Sequence, residues 1–469
     1  VKMNDVEKEF VDAMGLKDED CKEFVEWAIS LHDSCTEFLN FAITNQKVKV
    51  SQRQIPPRVS LPKAFRKGLE IRDIQVGGKR REPDDKIYSQ NKKIRDLIAR
   101  GNTLLKFRRD GRDVLSFPLY GMKKFTGGMG DDDDQEQGGD NVTWQKFFTK
   151  PSETASHLIS TSKENGSAGH LSAICIDGEY VLIGGSKNSH LIVSLEHGEE
   201  DIKLYPSSPW KVAKLTMKAI FRLFNQIGKE NTMKFIKFIA DWHLTAIFET
   251  LDPEDQHIEL LTNEEPEVRF ITFTAAWKGD SSVNNNNQLC MYPLHAVNVA
   301  KSYGIPTIKC EVVQLPKDES ERKNVFAEFE SSVRLDFGNE GRVLYFATDD
   351  KEVIGLLKKK TVWYIMLRAL REKYKLYQVF VNQKQNGKKT RYPTLEAQKN
   401  NIDGLIKKRF KEIQSWLGFS NDCLNEWTTL GLNGSDWVYN KIKSNSSFAD
   451  KLKNTFPVIW NQFLTETEA

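Results

Sequence analysis

The chain has 469 residues, 39% of them hydrophobic and 28% charged, and its 68 lysines and arginines against 65 aspartates and glutamates leave a net charge of +3. That length supports two or three domains with cores of their own, while the near balance of charge excludes an overall electrostatic signature for nucleic acid, so that case rests on where the cations sit. The six cysteines (Cys21, Cys35, Cys175, Cys290, Cys310 and Cys423) are scattered, with neither a Cys-x-x-Cys pair nor a neighbouring histidine cluster, which argues against a zinc site or a disulfide framework and fits a reducing nuclear or cytoplasmic compartment.

Residues 4 to 46 read as helical, because Val6, Phe10, Ala13 and Met14, then Phe24, Val25, Ala28, Ile29 and His32 recur at helical spacing. From 50 to 100 the composition shifts to lysine, arginine and proline, with Gly77-Gly78-Lys79-Arg80-Arg81 reading as an exposed loop. Gly127 to Asp140 holds four adjacent aspartates and no apolar run to pack, so it reads as a mobile loop and not as a metal site.

Thr161-Ser162-Lys163-Glu164-Asn165-Gly166-Ser167 sets one lysine at an Asn-Gly turn before an apolar strand from Leu171 to Ile183. Such a lysine is either a solvated turn residue or a nucleophile beside a glycine that lets backbone approach a ligand. Ser208-Pro209 has the form of an N-cap and first helical residue, with a stripe of Val212, Leu215, Ala219 and Leu223 ending at Gly228, and a second helix follows from about 231 to 243. The segments 269–276, 307–313, 343–347 and 353–357 read as strands, with Asn284 to Asn287 in a loop. From Thr361 the pattern is helical. Its first part is basic (Lys384, Lys388, Lys389, Arg391, Lys407, Lys408, Arg409, Lys411), with Tyr392 and Trp416 interleaved, which suits either a solvated face or a surface for RNA phosphates and bases.

Five further elements stand in order around that lysine: Gly185-Ser186-Lys187-Asn188-Ser189, Phe248-Glu249, Asn339-Glu340-Gly341-Arg342-Val343, Lys358-Lys359-Lys360 and, upstream, Arg100-Gly101 with Phe117 to Phe125. As a set covering residues 95 to 362, they resemble the motifs of ATP-dependent RNA ligases in the covalent nucleotidyltransferase superfamily, in the branch of phage-type and tRNA-splicing enzymes. The resemblance implies an α+β fold: an ATP-grasp-like nucleotidyltransferase core of antiparallel sheets with flanking helices. It also implies three parts: an N-terminal helical and basic segment (1–94), the adenylyltransferase domain (95–362) and a helical C-terminal domain (363–469).

By the same resemblance Lys163 is the nucleophile, and Lys358 and Lys360 act with it on the phosphates. Arg100, Glu164, Asn165, Gly166, Lys187, Phe248, Glu249 and Glu340 complete the nucleotide site. Glu249 takes the ribose, and Glu340 meets Mg2+ or Mn2+ directly or through water. An aromatic partner for adenine falls to Phe270 or Phe273. The implied cofactors are ATP and the divalent metal. The implied substrate is RNA with 5'-phosphate and 3'-hydroxyl ends, tRNA halves among the candidates, sealed by a monomer that relies on separate end-healing enzymes. Cations around Lys163 are expected to favour its neutral, reactive form.

Other readings stand beside this one. A capping guanylyltransferase or a DNA ligase could use similar motifs, and a non-catalytic RNA-binding protein could share the fold. His170-Leu171-Ser172 and His243-Leu244-Thr245 have the form of a two-histidine cyclic phosphodiesterase. The chain has no Gly-x-x-x-x-Gly-Lys-Ser/Thr loop for a built-in kinase.

Overall fold

The computed structural model describes residues 3–17, 21–66, 68–77, 82–127, 131, 143–275 and 289–468. Thirteen strands among them form three sheets, all of whose strand pairings are antiparallel. The architecture is therefore α+β, as expected.

The first sheet runs in sequence order through β1 (Val48–Arg53), β2 (Glu70–Val76), β3 (Asn102–Arg109) and β4 (Arg112–Tyr120). Its β2–β3 pairing joins residues on either side of position 94, where the sequence reading divides the chain. The described part of the 50–100 segment thus contains strands and short helices. The second sheet has the order β10-β9-β6-β7-β8, comprising β6 (Ser167–Ile176), β7 (Glu179–Ser186), β8 (Ser189–Ser194), β9 (Leu244–Leu251) and β10 (Glu267–Ala275). The third has the order β11-β5-β12-β13, comprising β5 (His157–Ser162), β11 (Cys310–Gln314), β12 (Gly341–Ala347) and β13 (Val353–Lys360).

A largely continuous apolar core joins the N-terminal helices to the first two sheets and to the long helical span Ser207–Asp241. As expected, that span is two helices: Gly228 takes a non-helical conformation (φ +80°, ψ 164°) and kinks the chain between them, and Ser208 is extended (φ -95°, ψ 130°) just ahead of Pro209. The C-terminal helices Val362–Gln385, Leu395–Leu417, Asn421–Ser444 and Phe456–Thr467 bury a separate cluster around Leu370, Tyr374, Ile406 and Phe410. Ile258, from the loop after β9, belongs to that cluster, and the Gln256 amide bonds the Asn454 carbonyl at 2.8 Å. These contacts seat the helical unit against the sheets.

Most of Gly127 to Asp140, together with residues 78–81 and 284–287, lies outside the described residues. Asp131 is described, and it corrects the loop reading at that position. Its carboxylate is fully buried and takes both Arg334 Nη atoms at 2.6 Å. It also accepts the Lys360 backbone N–H at 2.7 Å and lies 3.5 Å from Lys359 Nζ. A carboxylate with this many charge-assisted partners offsets its own desolvation, and it ties the end of β13 to the helix Glu319–Leu335. Asp131→Ala removes the two-point partner of Arg334 and leaves Glu330 as the carboxylate shared by Arg334 and Lys359. Stability is expected to drop by about 3–5 kcal/mol, measured by urea unfolding, and a loss within about 0.5 kcal/mol would contradict the burial of this residue.

Candidate active site

A cleft of about 600 Å³ is lined by residues from both the second and the third sheet. Lys163 lines it, one residue past the end of β5, in the turn that carries the chain from one sheet to the other. The backbone there is held rigidly: Lys163 N–H donates to the Gly341 carbonyl at 3.0 Å. Gly166 passes so close to β9 that a Cβ would lie 2.3 Å from the Thr250 carbonyl oxygen, and Gly341 sits at φ +135° with its would-be Cβ 2.0 Å from the Lys359 carbonyl oxygen. Side chains are excluded at both places.

Strand alternation sorts the lysines that end β13. On β13, Lys358 and Lys360 face the cleft, whereas Lys359 turns to Glu330 at 2.5 Å and to Asp131. On β9 the three consecutive residues Ile247, Phe248 and Glu249 all line the cleft, so alternation does not separate them, and Glu249 Oε1 accepts the Gly166 N–H at 3.1 Å. Glu340 immediately precedes β12. Its Oε2 lies 3.0 Å from Lys163 Nζ and its Oε1 is 3.9 Å from Lys360 Nζ. Arg100, Glu164, Gly166 and Lys187 also line the cleft, and Lys187 bonds Asp84 at 3.0 Å.

Asn165 is placed differently from its neighbours. It is 3% exposed and is not among the residues lining the cleft. Its Nδ2 donates to Glu340 Oε2 at 3.0 Å and to the Tyr364 hydroxyl at 3.1 Å. Its Oδ1 accepts from the Ile258 and Glu259 amides at 2.7 and 3.0 Å. Every hydrogen-bonding position of the amide is used.

The electrostatics correct the expected activation of Lys163. Burial works to lower its pKa, but Glu340, then Glu249 and Glu259, outweigh it and hold the amine above the ordinary lysine value. The lysine is therefore protonated in this state, as half of an ion pair. Burial would raise Glu340, yet Lys163 and Lys360 hold its carboxyl below the usual value. Lys360, by contrast, is pulled down by burial to about 8 against the opposing effect of Glu340. Burial pushes Glu249 up to about 7, with Lys163 opposing and Glu340 adding. It also pushes Glu259 up to about 8 although its carboxylate accepts the Glu340 N–H.

Neither expected adenine partner faces the cleft. Phe270 and Phe273 are fully buried and pack on each other and on Phe248 and Phe235. A bulge in β10 between Phe270 and Thr272 turns Ile271 to the cleft instead, beside Phe125, Ile308 and Tyr345. The two histidine elements do not converge. His170 lines the cleft and bonds His190 at 3.2 Å, whereas His243 is buried, stacked on Trp27. Trp210 and Trp242 do not line the cleft either.

Sequence reasoning misses Glu259 and His257, from a loop without periodicity, and Tyr364, Arg368 and Arg371, from the helix after β13. The signal for the last three is their 4- and 3-residue spacing directly after Lys360. Among the described residues no group of three His, Cys, Asp or Glu could hold a metal by itself. A single carboxylate with water and phosphate oxygens suits Mg2+ or Mn2+, so Glu340 fits a metal that arrives with phosphates. No helix of the described residues is long and apolar enough to cross a membrane.

The raised Glu249 pKa gives a pH test with a definite sign. Between the ordinary value of 4.5 and about 7 the folded state holds a proton that the unfolded state has lost, so this group's contribution to stability falls as pH rises through that window. Glu249→Gln removes the titration, and its thermal midpoint is expected to gain on wild type between about pH 5 and about pH 8. A gap between the two proteins that stays constant with pH would contradict the assignment.

A search of the curated proteins gives no match. Among solved structures the chain is similar to Naegleria gruberi RNA ligase: a mutant with ATP and Mn (10% identity, 68% of this chain and 97% of that one, TM-score 0.30) and an apo mutant (11%, 69% and 98%, 0.29). A mutant of that ligase with AMP and Mn gives the same TM-score as the apo form (10%, 68% and 98%, 0.29). At these TM-scores the likeness bears no weight beside the geometry of the cleft. The model of a family described as a domain of unknown function, DUF7920, matches residues 79–371, more than half of the sequence, and the chain belongs to that family.

Proposed function

We propose that the protein is an ATP-dependent RNA ligase that works through a lysyl-AMP intermediate on Lys163. The observation that supports this most is the pairing of one half-buried lysine amine with the buried Glu340 carboxylate at 3.0 Å in a cleft also lined by Glu249, Lys358, Lys360, Lys187 and Arg100. A phosphoryl-transfer site needs a positioned nucleophile and fixed cations for the charge that develops on phosphate. A carboxylate on a separate strand then suits the ribose hydroxyls, the role this reading gives Glu249.

In the first step the neutral Lys163 amine attacks the α-phosphorus of ATP; a P–N bond forms as the bond to pyrophosphate breaks. In the second, an oxygen of the RNA 5'-phosphate attacks the same phosphorus and the lysine nitrogen leaves, giving an RNA-adenylate. In the third, a 3'-hydroxyl attacks the RNA phosphorus and AMP leaves. Lys358 and Lys360 hold the phosphate oxygens throughout. Lys163 must first release its proton, and the carboxylates acting on its amine are Glu340, Glu249 and Glu259. A divalent cation at Glu340, when bound, supplies charge to the phosphates and weakens that carboxylate's hold on the lysine proton. Tyr364, 5.3 Å below Lys360 Nζ, and Asn165 keep the lysine and Glu340 in register.

The test is incubation with magnesium and α-labelled ATP, followed by a chase with 5'-phosphorylated RNA. Label is expected on the protein and then on RNA, with sealed product. Lys163→Ala is expected to abolish it, and Lys360→Ala to slow the first step by about 10²–10³-fold. Labelling from GTP alone would move the assignment to capping, and transfer to DNA in place of RNA would move it to DNA sealing. No covalent label from either nucleotide, in folded protein not already adenylylated, would overturn the reading.

A further inference from the structure

The helix Val362–Gln385 starts two residues after Lys360, capped by the Thr361 hydroxyl, which accepts the Tyr364 N–H at 3.0 Å. Tyr364, Arg368 and Arg371 recur at 4- and 3-residue spacing and so share one face of the helix. That face is a wall of the cleft that holds Lys163 and Glu340. Arg371 donates from Nη2 to the Lys453 carbonyl at 3.2 Å, but its Nε is buried with no hydrogen-bond partner. His257, from the loop after β9, lines the same part of the cleft, and its pKa is lowered by burial and then by Arg371. Arg368 is held below the ordinary arginine value by burial first, with Arg371 and Arg409 adding repulsion and Glu372 opposing it. Glu372 also lines this part of the cleft and bonds Lys375 at 2.7 Å.

Arg368 and Arg371 line the cleft from one helix face, and Arg371 keeps its Nε–H without a hydrogen-bond partner there, at the cost that a buried donor carries until an acceptor reaches it. The planar fork of arginine matches phosphate oxygens in two-point contact, and an unpartnered Nε–H is one of its donors. We propose that Arg368 and Arg371 form a binding pair for a terminal phosphate, supplied to the cleft by the C-terminal helical unit; the proposal rests on the nucleotidyl-transfer reading of that cleft. A dianionic terminal phosphate reaches such a site from two sources: the 5' end of an RNA strand or the γ-phosphate of ATP. In either case the helical unit does more than pack against the sheets. It completes the phosphate site.

The test uses equilibrium binding in the full-length chain carrying Lys163→Ala, so that no covalent step intervenes. Two pairs of ligands are compared: an oligoribonucleotide with a 5'-phosphate against the same strand with a 5'-hydroxyl, and ATP against ADP. The terminal phosphate is expected to strengthen binding by about tenfold in one of the pairs. Arg368→Gln with Arg371→Gln is expected to erase that preference while the circular dichroism spectrum and thermal midpoint hold. The doubly lysine-substituted variant, Arg368→Lys with Arg371→Lys, is expected to restore part of it, which a packing role would not produce. Loss in the RNA pair identifies the strand end as the source, and loss in the nucleotide pair identifies ATP. A preference that survives the double glutamine variant in both pairs, or that is absent from the parent in both, overturns the proposal. Separately, a parent chain with Lys163 intact that takes no label from ATP, yet discriminates the terminal phosphate through these arginines, would sink the lysyl-AMP reading and leave the phosphate pair standing.

Discussion

One buried amide holds the cleft together. Asn165 joins four segments that are far apart in sequence: the turn after β5, the loop at Ile258 and Glu259, the carboxylate of Glu340 and the helix that begins at Val362. An aspartate at this position could accept the two amide protons but could donate nothing to Glu340 unless it stayed protonated. It would set two carboxylates side by side, and in a buried site that arrangement is strongly disfavoured. The asparagine therefore follows from the charge on Glu340, and Glu340 in turn follows from its need to face Lys163.

The charges in the cleft settle into a pattern that depends on this frame. Glu340, with cations on two sides and a hydrogen bond from Asn165, stays ionised. Glu249 and Glu259, less well compensated, are pushed up by burial to about 7 and about 8. At Lys163 the carboxylates outweigh burial, whereas at Lys360 burial, with Lys358 and Lys163 adding to it, outweighs Glu340. The resting cleft is thus charge-paired and unreactive at its lysine. The proposed reaction requires a rearrangement of charge at Glu340, which a nucleotide carrying a divalent cation would supply.

How much of this is legible in the sequence depends on the range of the interaction. Lys163, Glu249, Glu340, Lys358 and Lys360 can be picked out because the motifs that hold them resemble, as an ordered set, those of the RNA ligases, and strand alternation fits the outer two lysines of the trio facing inward. Asn165 is visible as a turn residue, but its partners lie up to 199 residues away. Asp131 is hidden in a run of aspartates, where nothing local distinguishes the one that meets Arg334 and Lys360. β1 and β2 are obscured by the charged residues that their half-exposed strands carry. The choice between Phe270 and Phe273 fails for a different reason: a bulge at Ile271 changes which side chain meets the cleft, and periodicity cannot foresee an inserted residue.

The proposed chemistry turns on the Lys163 amine, and no other group, becoming bonded to a nucleotide phosphorus. Incubating the intact protein with ATP and magnesium, measuring its mass, and mapping the adduct by peptide fragmentation under conditions that spare acid-labile P–N bonds puts this to the test. One added adenylyl group is expected, located on Lys163 and released by pyrophosphate. An adenylyl group mapped to another residue, or a protein of unchanged mass that nevertheless consumes ATP, would show that the lysine does not play this part.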